Sequence, residues 1–140
     1  MREVSIITLG VIDIVRSSLF YERLGFERST KSNETIVWFR TGSTVLALYP
    51  WKGLAEDIGL GPEGTGFRGC TFALNFKSKD EVEGLVEKAR KAGARIMKEP
   101  QDVFWGGFSA YFEDPDGHIW EVAWNPYTPV DGNGRLFIDD

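Results

Sequence analysis

The amino-acid sequence predicts an α+β fold in which one order of strands and helix occurs twice. Strand-like residues 4–11 lead into an amphipathic helix that ends at Gly25, and residues 70–76 begin the same order again. Aligning Val11 with Phe76 superimposes the two patterns at an offset of about 65 residues. Each helix would cover one face of its sheet. The free faces would have only each other to pack against, which predicts a cupped sheet that encloses a cavity.

The first unit carries clear helix and strand signals. Asp13 can cap the helix, and Gly25 supplies the left-handed exit at its end. Residues 35–40 and 43–49 are rich in β-branched and aromatic side chains, so we expect them to form a hairpin. Residues 26–30 are a candidate for a shorter strand.

The second unit repeats these signals. After the apolar strand at 70–76, Ser78 and Glu81 have the spacing of a capping box, and Gly93 ends the helix that follows. Residues 94–97 begin another strand. The charges along this helix are most simply explained as its solvated face.

Asp114-Pro-Asp-Gly117 predicts a type I turn that closes a hairpin, because Asp, Pro and Gly occupy the positions that such a turn favours. In the second arm of the hairpin, Ile119, Glu121 and Ala123 lie on one side of the strand. Glu121 is therefore a charge in a row that is otherwise apolar. It is the main candidate for a functional residue.

A connector, residues 51–69, separates the two units. It is rich in glycine and has only scattered apolar residues, with one helical turn expected at 54–58. The 140 residues suit a single domain made of two modules, at about 1–50 and 70–126. The tail, 127–140, is either loose or a strap that packs through Leu136, Phe137 and Ile138.

Composition excludes some functions and favours others. The net charge of -5 argues against nucleic acid, whose phosphates require a basic surface. No apolar run approaches the roughly 18 residues of a membrane span. Together with the absence of a leader pattern, this predicts a cytoplasmic protein that has no membrane partner. The only cysteine, Cys70, is predicted to be a buried structural thiol.

Aromatic residues are abundant, with 5 Trp, 4 Tyr and 10 Phe. They predict either an aromatic core or the lining of a ligand cavity. If strands alternate regularly, one row of side chains faces the cavity, and Trp38 and Trp105 are walls or lid elements. The predicted ligand-binding residues are Glu121, Thr71, Ile6, Thr8, Ala47, Tyr49, Asn75, Trp38 and Trp105.

The segment Gln101-Asp-Val-Phe-Trp-Gly-Gly-Phe108 allows two interpretations. Phe104 and Trp105 before a glycine pair could form a mobile lid, with Gly106 and Gly107 permitting closure. The alternative is an ordinary link between strands, packed by Trp105. The sequence favours neither.

Three motifs resemble the vicinal oxygen chelate superfamily, which includes glyoxalase I, bleomycin-resistance proteins and extradiol dioxygenases. They are Leu9-Gly-Val-Ile-Asp13, Phe20-Tyr-Glu-Arg-Leu-Gly-Phe26 and Asp114-Pro-Asp-Gly-His-Ile-Trp-Glu121. The similarity spans Val4 to Pro126. It implies one domain of two βαβββ modules, which form a cupped mixed sheet with the helices on its outer face. It also implies frequent homodimers and a pocket in the cup.

The resemblance further implies a divalent metal, held by the first and last strands of each module. The four matching positions in this chain are Ile6, Ala47, Thr71 and Glu121. One carboxylate, one hydroxyl and two alkyl groups cannot hold such an ion, so we expect no metal and no other cofactor. His118 does not replace the missing ligands, because it is three residues from Glu121 and lies on the opposite strand face.

The leading hypothesis is therefore a metal-independent protein that binds a small organic molecule, either aromatic or cationic, in the manner of the resistance-type binding proteins. Glu121 would contact the ligand. The alternatives are an enzyme related to glyoxalase-type lyases or dioxygenases with an atypical site, and a dimeric scaffold with a filled cavity. In the scaffold, the Glu121 carboxylate would be satisfied by threonine, tyrosine or water. In a metal-free enzyme it would act as a general acid or base.

Overall fold

The structure is a computed structural model that describes residues 2–137. Contacts divide the chain into two compact units, residues 1–68 and 69–140. Each unit has a four-stranded mixed sheet, so the predicted α+β class and the paired βαβββ modules are confirmed. Within the described residues, no helix is long and apolar enough to cross a membrane.

The first unit follows the predicted order, with one additional helix at its end. Its elements are β1 (Ile6–Val11), α1 (Ile14–Arg23), β2 (Glu27–Arg28), β3 (Val37–Thr41), β4 (Thr44–Pro50) and α2 (Trp51–Ile58). The strands lie in the order β1-β4-β3-β2, and the first strand of the module runs parallel to the last.

Helix α1 forms as its capping signals predict. The Asp13 carboxylate accepts a hydrogen bond from the backbone N–H of Arg16 at 3.0 Å, and Gly25 adopts a φ of 102° after the helix ends. Phe20 and Tyr21 are fully buried, and Tyr21 lies 6.0 Å from the ring of Phe39 on β3. The helix thus covers one face of the first sheet, as expected for an amphipathic element.

Helix α2 is longer than the single turn expected within the connector. It packs against β1 and β4, and a Cβ on Gly10 would lie 3.3 Å from Trp51. The indole of Trp51 donates a hydrogen bond to the carbonyl of Pro62 at 2.9 Å, which ties the chain beyond the helix back onto it. The expected turn covered only its second half, although Trp51, Leu54, Ala55 and Ile58 recur at helical spacing, because Gly53 and the glycines after residue 58 favoured a connector.

The second unit repeats the module without the additional helix. Its elements are β5 (Phe72–Phe76), α3 (Lys79–Lys91), β6 (Arg95–Asp102), β7 (Phe108–Glu113) and β8 (Ile119–Trp124). The strand order is β5-β8-β7-β6, and β5 runs parallel to β8. Strand β6 extends through Asp102, so the predicted loop beginning at Gln101 is shorter than expected.

The capping box of α3 is present. Ser78 accepts a hydrogen bond from the N–H of Glu81 at 3.2 Å, and the Glu81 carboxylate accepts one from the N–H of Lys77 at 2.8 Å. The helix buries the four apolar residues that the sequence places on one stripe. These are Val82, Leu85, Val86 and Ala89.

The hairpin between β7 and β8 closes with the predicted turn. Gly117 donates its N–H to the carbonyl of Asp114 at 3.1 Å, and Asp114 donates to the carbonyl of His118 at 2.9 Å. The buried Asp114 carboxylate also accepts from the N–H groups of Asp116 and His118. Gly117 has a φ of 86°, a backbone conformation that favours glycine. These bonds fix the register of the two strands.

The prediction that Cys70 is a buried structural thiol is wrong, because the residue is exposed. It lies two positions before β5 begins, so it is not part of the helix-covered strand. The tail contains a short antiparallel bridge between Val130 and Leu136, closed by a turn in which Asp131 accepts from Asn133 and Arg135. Ile138, the last residue of the predicted strap, lies outside the described residues.

We predict that Ser78→Ala lowers the free energy of unfolding by about 1 kcal/mol, because it removes the side chain that caps α3. Urea denaturation measures this change. Ser78→Asp is the matched control, since it keeps an oxygen acceptor at the cap and should retain most of the stability. Equal stability of Ser78→Ala and the wild type would show that the cap contributes nothing.

Candidate functional site

The candidate site of the second unit lies on the sheet face that α3 does not cover. Helix α3 packs against β7 and β8 on the face that carries Val122 and Phe112. Side chains alternate along a strand, so Tyr111 and Glu121 project from the opposite, open face. Register places Glu121 directly across from Tyr111 on one side and Ala73 on the other.

A hydrogen bond joins two polar residues of this face, Tyr111 and Glu121. The Tyr111 hydroxyl donates to Oε2 of Glu121 at 2.9 Å. Both side chains are half-buried, and the neighbours of Glu121 in the same row are Ile119 and the buried Ala123. Within residues 2–137 this is the one hydrogen bond of the Glu121 carboxylate, and no basic side chain pairs with it. Its second oxygen, Oε1, faces no donor of the described chain.

The Glu121 carboxylate raises the pKa of Tyr111 above its ordinary value. The hydrogen bond to Glu121 is the largest cause, followed by partial burial and by repulsion between the carboxylate and a phenolate. Tyrosine is already protonated at neutral pH, and the raised pKa of Tyr111 keeps its proton in the hydrogen bond to Glu121 up to higher pH. The pair holds one carboxylate oxygen in place and leaves the other available to accept a hydrogen bond.

Two other predicted residues of this unit have different surroundings. Thr71 lies outside β5 and is exposed, and the carboxylate of Glu121 is bonded by Tyr111 rather than by Thr71. Asn75 is half-buried at the end of β5, where its carbonyl lies 3.1 Å from the position of a Cβ on Gly134.

The first unit brings its predicted residues onto one sheet face. Register places Thr8 across from Ala47, and Ala47 across from Trp38. Ile6 and Tyr49 belong to the same row by alternation, and Ile6 is 46% exposed, whereas Ala47 is fully buried. These five positions therefore share the face opposite α1.

A pocket of about 320 Å³ opens on the first unit beside Trp38. Ser29, Lys31, Trp38, Phe39, Arg40 and Val45 line it. Trp38 was predicted to be a wall residue. Its basic neighbours, Lys31 and Arg40, were not predicted.

Trp105 belongs to a tight turn between β6 and β7. Val103 donates its N–H to the carbonyl of Gly107 at 3.0 Å, and Gly106 donates to the carbonyl of Val103 at the same distance. The Trp105 ring packs so closely on Gly107 that a Cβ there would collide with it. The turn is closed by its own backbone bonds, while Trp105 remains 40% exposed and Phe104 is fully exposed, so both interpretations of this segment stay predictions.

Comparison with known proteins agrees with this architecture. Residues 4–122 match the family model of the Glyoxalase/Bleomycin resistance protein/Dioxygenase superfamily. The chain belongs to this superfamily. Its resemblance to the vicinal oxygen chelate proteins is thereby confirmed.

Individual superfamily members are similar over most of their length. A glyoxalase-related enzyme from Fulvimarina pelagi superimposes with a TM-score of 0.89 at 31% identity, and each chain is covered completely. Metallothiol transferase FosB from Shouchella clausii (strain KSM-K16) is 28% identical over 116 residues, which are 82% of this chain and 75% of FosB. Lactoylglutathione lyase from Agrobacterium tumefaciens superimposes with a TM-score of 0.66 at 20% identity, over 89% of this chain and 95% of the lyase. At that identity, the lyase shows a shared fold alone.

The residues of this superfamily member do not fit a divalent metal. At the four positions that the resemblance implies for ligands, Ile6 and Ala47 offer no donor atom, and Thr71 offers a single hydroxyl. Nowhere in residues 2–137 do three or more His, Cys, Asp or Glu side chains form a group that could hold such an ion. His118 flanks the turn before β8 and is not on the face of Glu121.

Sequence reasoning missed Tyr111 as the partner of Glu121, although the signal was present. A turn over residues 114–118 pairs Glu113 with Ile119, and two residues further along it pairs Tyr111 with Glu121. Counting outward from the turn would therefore have found the pair. No comparable signal places Lys31 beside Trp38, because that contact depends on how an irregular segment folds back onto a strand.

We predict that Tyr111 titrates above the ordinary tyrosine pKa of about 10 and that Glu121→Gln moves its pKa back toward that value. The substitution removes the charge and the charged hydrogen bond, while partial burial remains. Ultraviolet absorbance during a pH titration measures the phenolate, and Tyr111→Phe identifies the step that belongs to this residue. Titration of Tyr111 at or below the ordinary value in the wild type would contradict the geometry.

The raised pKa of Tyr111 also determines the direction in which stability changes with pH. The folded state holds the Tyr111 proton more tightly than the unfolded state. The contribution of this group to the free energy of unfolding is therefore complete below the unfolded pKa, and it is lost as pH rises through the folded pKa.

Proposed function

We propose that this chain is a small-molecule-binding member of the superfamily that works without a metal, and that Glu121 contacts the ligand. The observation that carries the proposal is the state of the Glu121 carboxylate. It is half-buried on an open sheet face, fixed through Oε2 by Tyr111, and unpaired with any cation of residues 2–137. A partly desolvated carboxylate with one free oxygen attracts a donor or a cation.

The surroundings of Glu121 define the kind of ligand. Ala73 and Ala123 flank it across and along the sheet, so apolar side chains surround the Tyr111–Glu121 pair on that side, while the polar Glu113, Ser109 and Asn75 lie elsewhere on the same face. Such a surface binds a molecule that is mainly apolar and carries one ammonium, amine or hydroxyl group directed at Oε1. An aromatic or aliphatic amine has this chemistry. The other predicted contacts, Thr71, Asn75, Trp105 and the first-unit row, stay predictions.

The superfamily match also favours a second candidate, a group-transfer enzyme. FosB is named as a metallothiol transferase, and it is similar to 82% of this chain. The residues at the implied metal positions do not fit that chemistry, which is why binding is our first choice. Binding of a divalent ion separates the two candidates.

We expect no stoichiometric binding of Zn²⁺, Mn²⁺ or Mg²⁺, because Glu121 is a single carboxylate ligand and such ions need about three or more. Isothermal titration calorimetry of the full chain measures this. Glu113→Gln is the matched control, since Glu113 lies on the same face but pairs with Arg95. One-to-one metal binding that disappears in Glu121→Gln and persists in Glu113→Gln would overturn metal independence.

We expect one or more members of a panel of arylalkyl amines and their neutral alcohol analogues to bind, with quenching of tryptophan fluorescence. Glu121→Gln should weaken binding of the amine about tenfold or more, because a hydrogen bond to a charged group is worth about 1.5–3 kcal/mol. Tyr111→Phe should weaken it less, since the charge remains. If no member of the panel binds, or if all bind equally well to Glu121→Gln, the proposed role of Glu121 is wrong.

The proposal includes a cytoplasmic homodimer. The resemblance supports the dimer, and the single cysteine is unsuited to an intramolecular disulfide of an oxidising compartment. Light scattering coupled to size exclusion gives the mass in solution. A mass equal to one chain of 15.8 kDa at micromolar concentration would contradict the dimer.

A further inference from the structure

A second region of the molecule has the opposite charge to the Glu121 site. It is the pocket of about 320 Å³ on the first unit, beside the half-buried indole of Trp38. Trp38 and Arg40 are two residues apart on β3, so both project from the same sheet face. Register places Val45 across from Arg40, and the small Ala47 across from Trp38. The large indole of Trp38 therefore lies beside a small apolar side chain on that face.

Hydrogen bonds build one wall of this pocket. Residues 29–32 form a turn in which Ser32 donates its N–H to the carbonyl of Ser29 at 3.1 Å. The N–H of Ser29 donates to the carbonyl of Trp38 at 2.8 Å, and the Ser32 hydroxyl accepts from the N–H of Trp38 at 2.9 Å. The turn is thus fastened to the backbone of Trp38 from both ends. This fastening holds Lys31, the third residue of the turn, beside the indole.

The pocket carries two positive charges and no acidic lining residue. Among residues 2–137, the Lys31 ammonium forms no ion pair, and only its backbone N–H bonds Ser29. Arg40 pairs with Glu27 at 3.4 Å, but the two side chains are 60% and 75% exposed. Exposed ion pairs of this kind contribute about 1 kcal/mol or less to stability. An anion that is better placed can therefore replace Glu27 as the partner of the Arg40 guanidinium.

We propose that this pocket binds a small planar organic anion, namely an aryl carboxylate. The ring of the ligand lies against the indole of Trp38, and its carboxylate is held by Arg40 and Lys31. A guanidinium suits this role, because its planar set of N–H groups matches the two oxygens of a carboxylate. Local charge decides the preference here, since the net charge of the whole chain is -5 and would repel an anion elsewhere.

Benzoate is the probe, and the indole N–H resonance of Trp38 is the readout, assigned by its loss in Trp38→Phe. We expect saturable shifts of this resonance by benzoate, and weaker binding at higher salt because the site is partly exposed.

Substitutions test the charges of the pocket. Lys31→Gln and Arg40→Gln should each weaken benzoate binding about fivefold, which corresponds to a loss of about 1 kcal/mol of binding free energy. Glu27→Gln should strengthen binding, because it removes the carboxylate that competes for Arg40. Lys52→Gln, which removes an exposed charge outside the lining, should leave it unchanged.

The remaining measurements separate the proposal from its alternatives. Benzamide should bind more weakly than benzoate, since it keeps the ring and lacks the charge. If inorganic phosphate shifts the Trp38 resonance as much as benzoate does, the site attracts anions in general and the requirement for a ring is overturned. If Lys52→Gln loses as much affinity as Lys31→Gln or Arg40→Gln, the assigned pocket is overturned. Glu121→Gln should not change the affinity for benzoate, so this proposal and the amine site of the second unit can fail independently. Failure of benzoate to shift the Trp38 resonance at any concentration up to its solubility would overturn the proposal.

Discussion

The parallel pairing of the first and last strand in each unit is the constraint on which the rest of the structure depends. Parallel neighbours need a crossover connection, and here the helix and two intervening strands of each module supply it. The helix then covers one face of the sheet and leaves the other open. Without the pairing of β5 with β8, Ala73 would not lie beside Glu121, and the carboxylate would be on an edge strand in water.

On the open face of the second sheet, Tyr111 and Glu121 form a hydrogen-bonded pair. A half-buried carboxylate in an apolar row costs free energy unless something donates to it, and the Tyr111 hydroxyl offsets part of that cost. The bond also fixes the carboxylate's orientation, which would lower the entropy lost on binding the proposed ligand. The hydrogen bond from the adjacent strand thus satisfies one oxygen of the Glu121 carboxylate within the fold, and in the proposed function it would also orient that carboxylate toward a ligand.

The two units share one topology but differ in the charge of their open faces. The second unit presents a carboxylate with a tyrosine, and the first presents Lys31 and Arg40 around an indole. The difference arises outside the shared strand pattern, since Lys31 comes from a turn that has no counterpart of the same sequence in the second unit. Superfamily membership therefore predicts the scaffold of this chain more firmly than the chemistry on its open faces.

The sequence by itself determined the order of the elements, both helix caps, the glycine exits and the turn at residues 114–117. These features follow from contacts between residues a few positions apart, such as Ser78 with Glu81. Only the tertiary structure decided that Cys70 is exposed, that α2 packs against β1 and β4, and that Lys31 lies beside Trp38. Those outcomes depend on which strands pair and on how irregular segments fold back onto them, and such long-range contacts leave no periodic signal in the sequence.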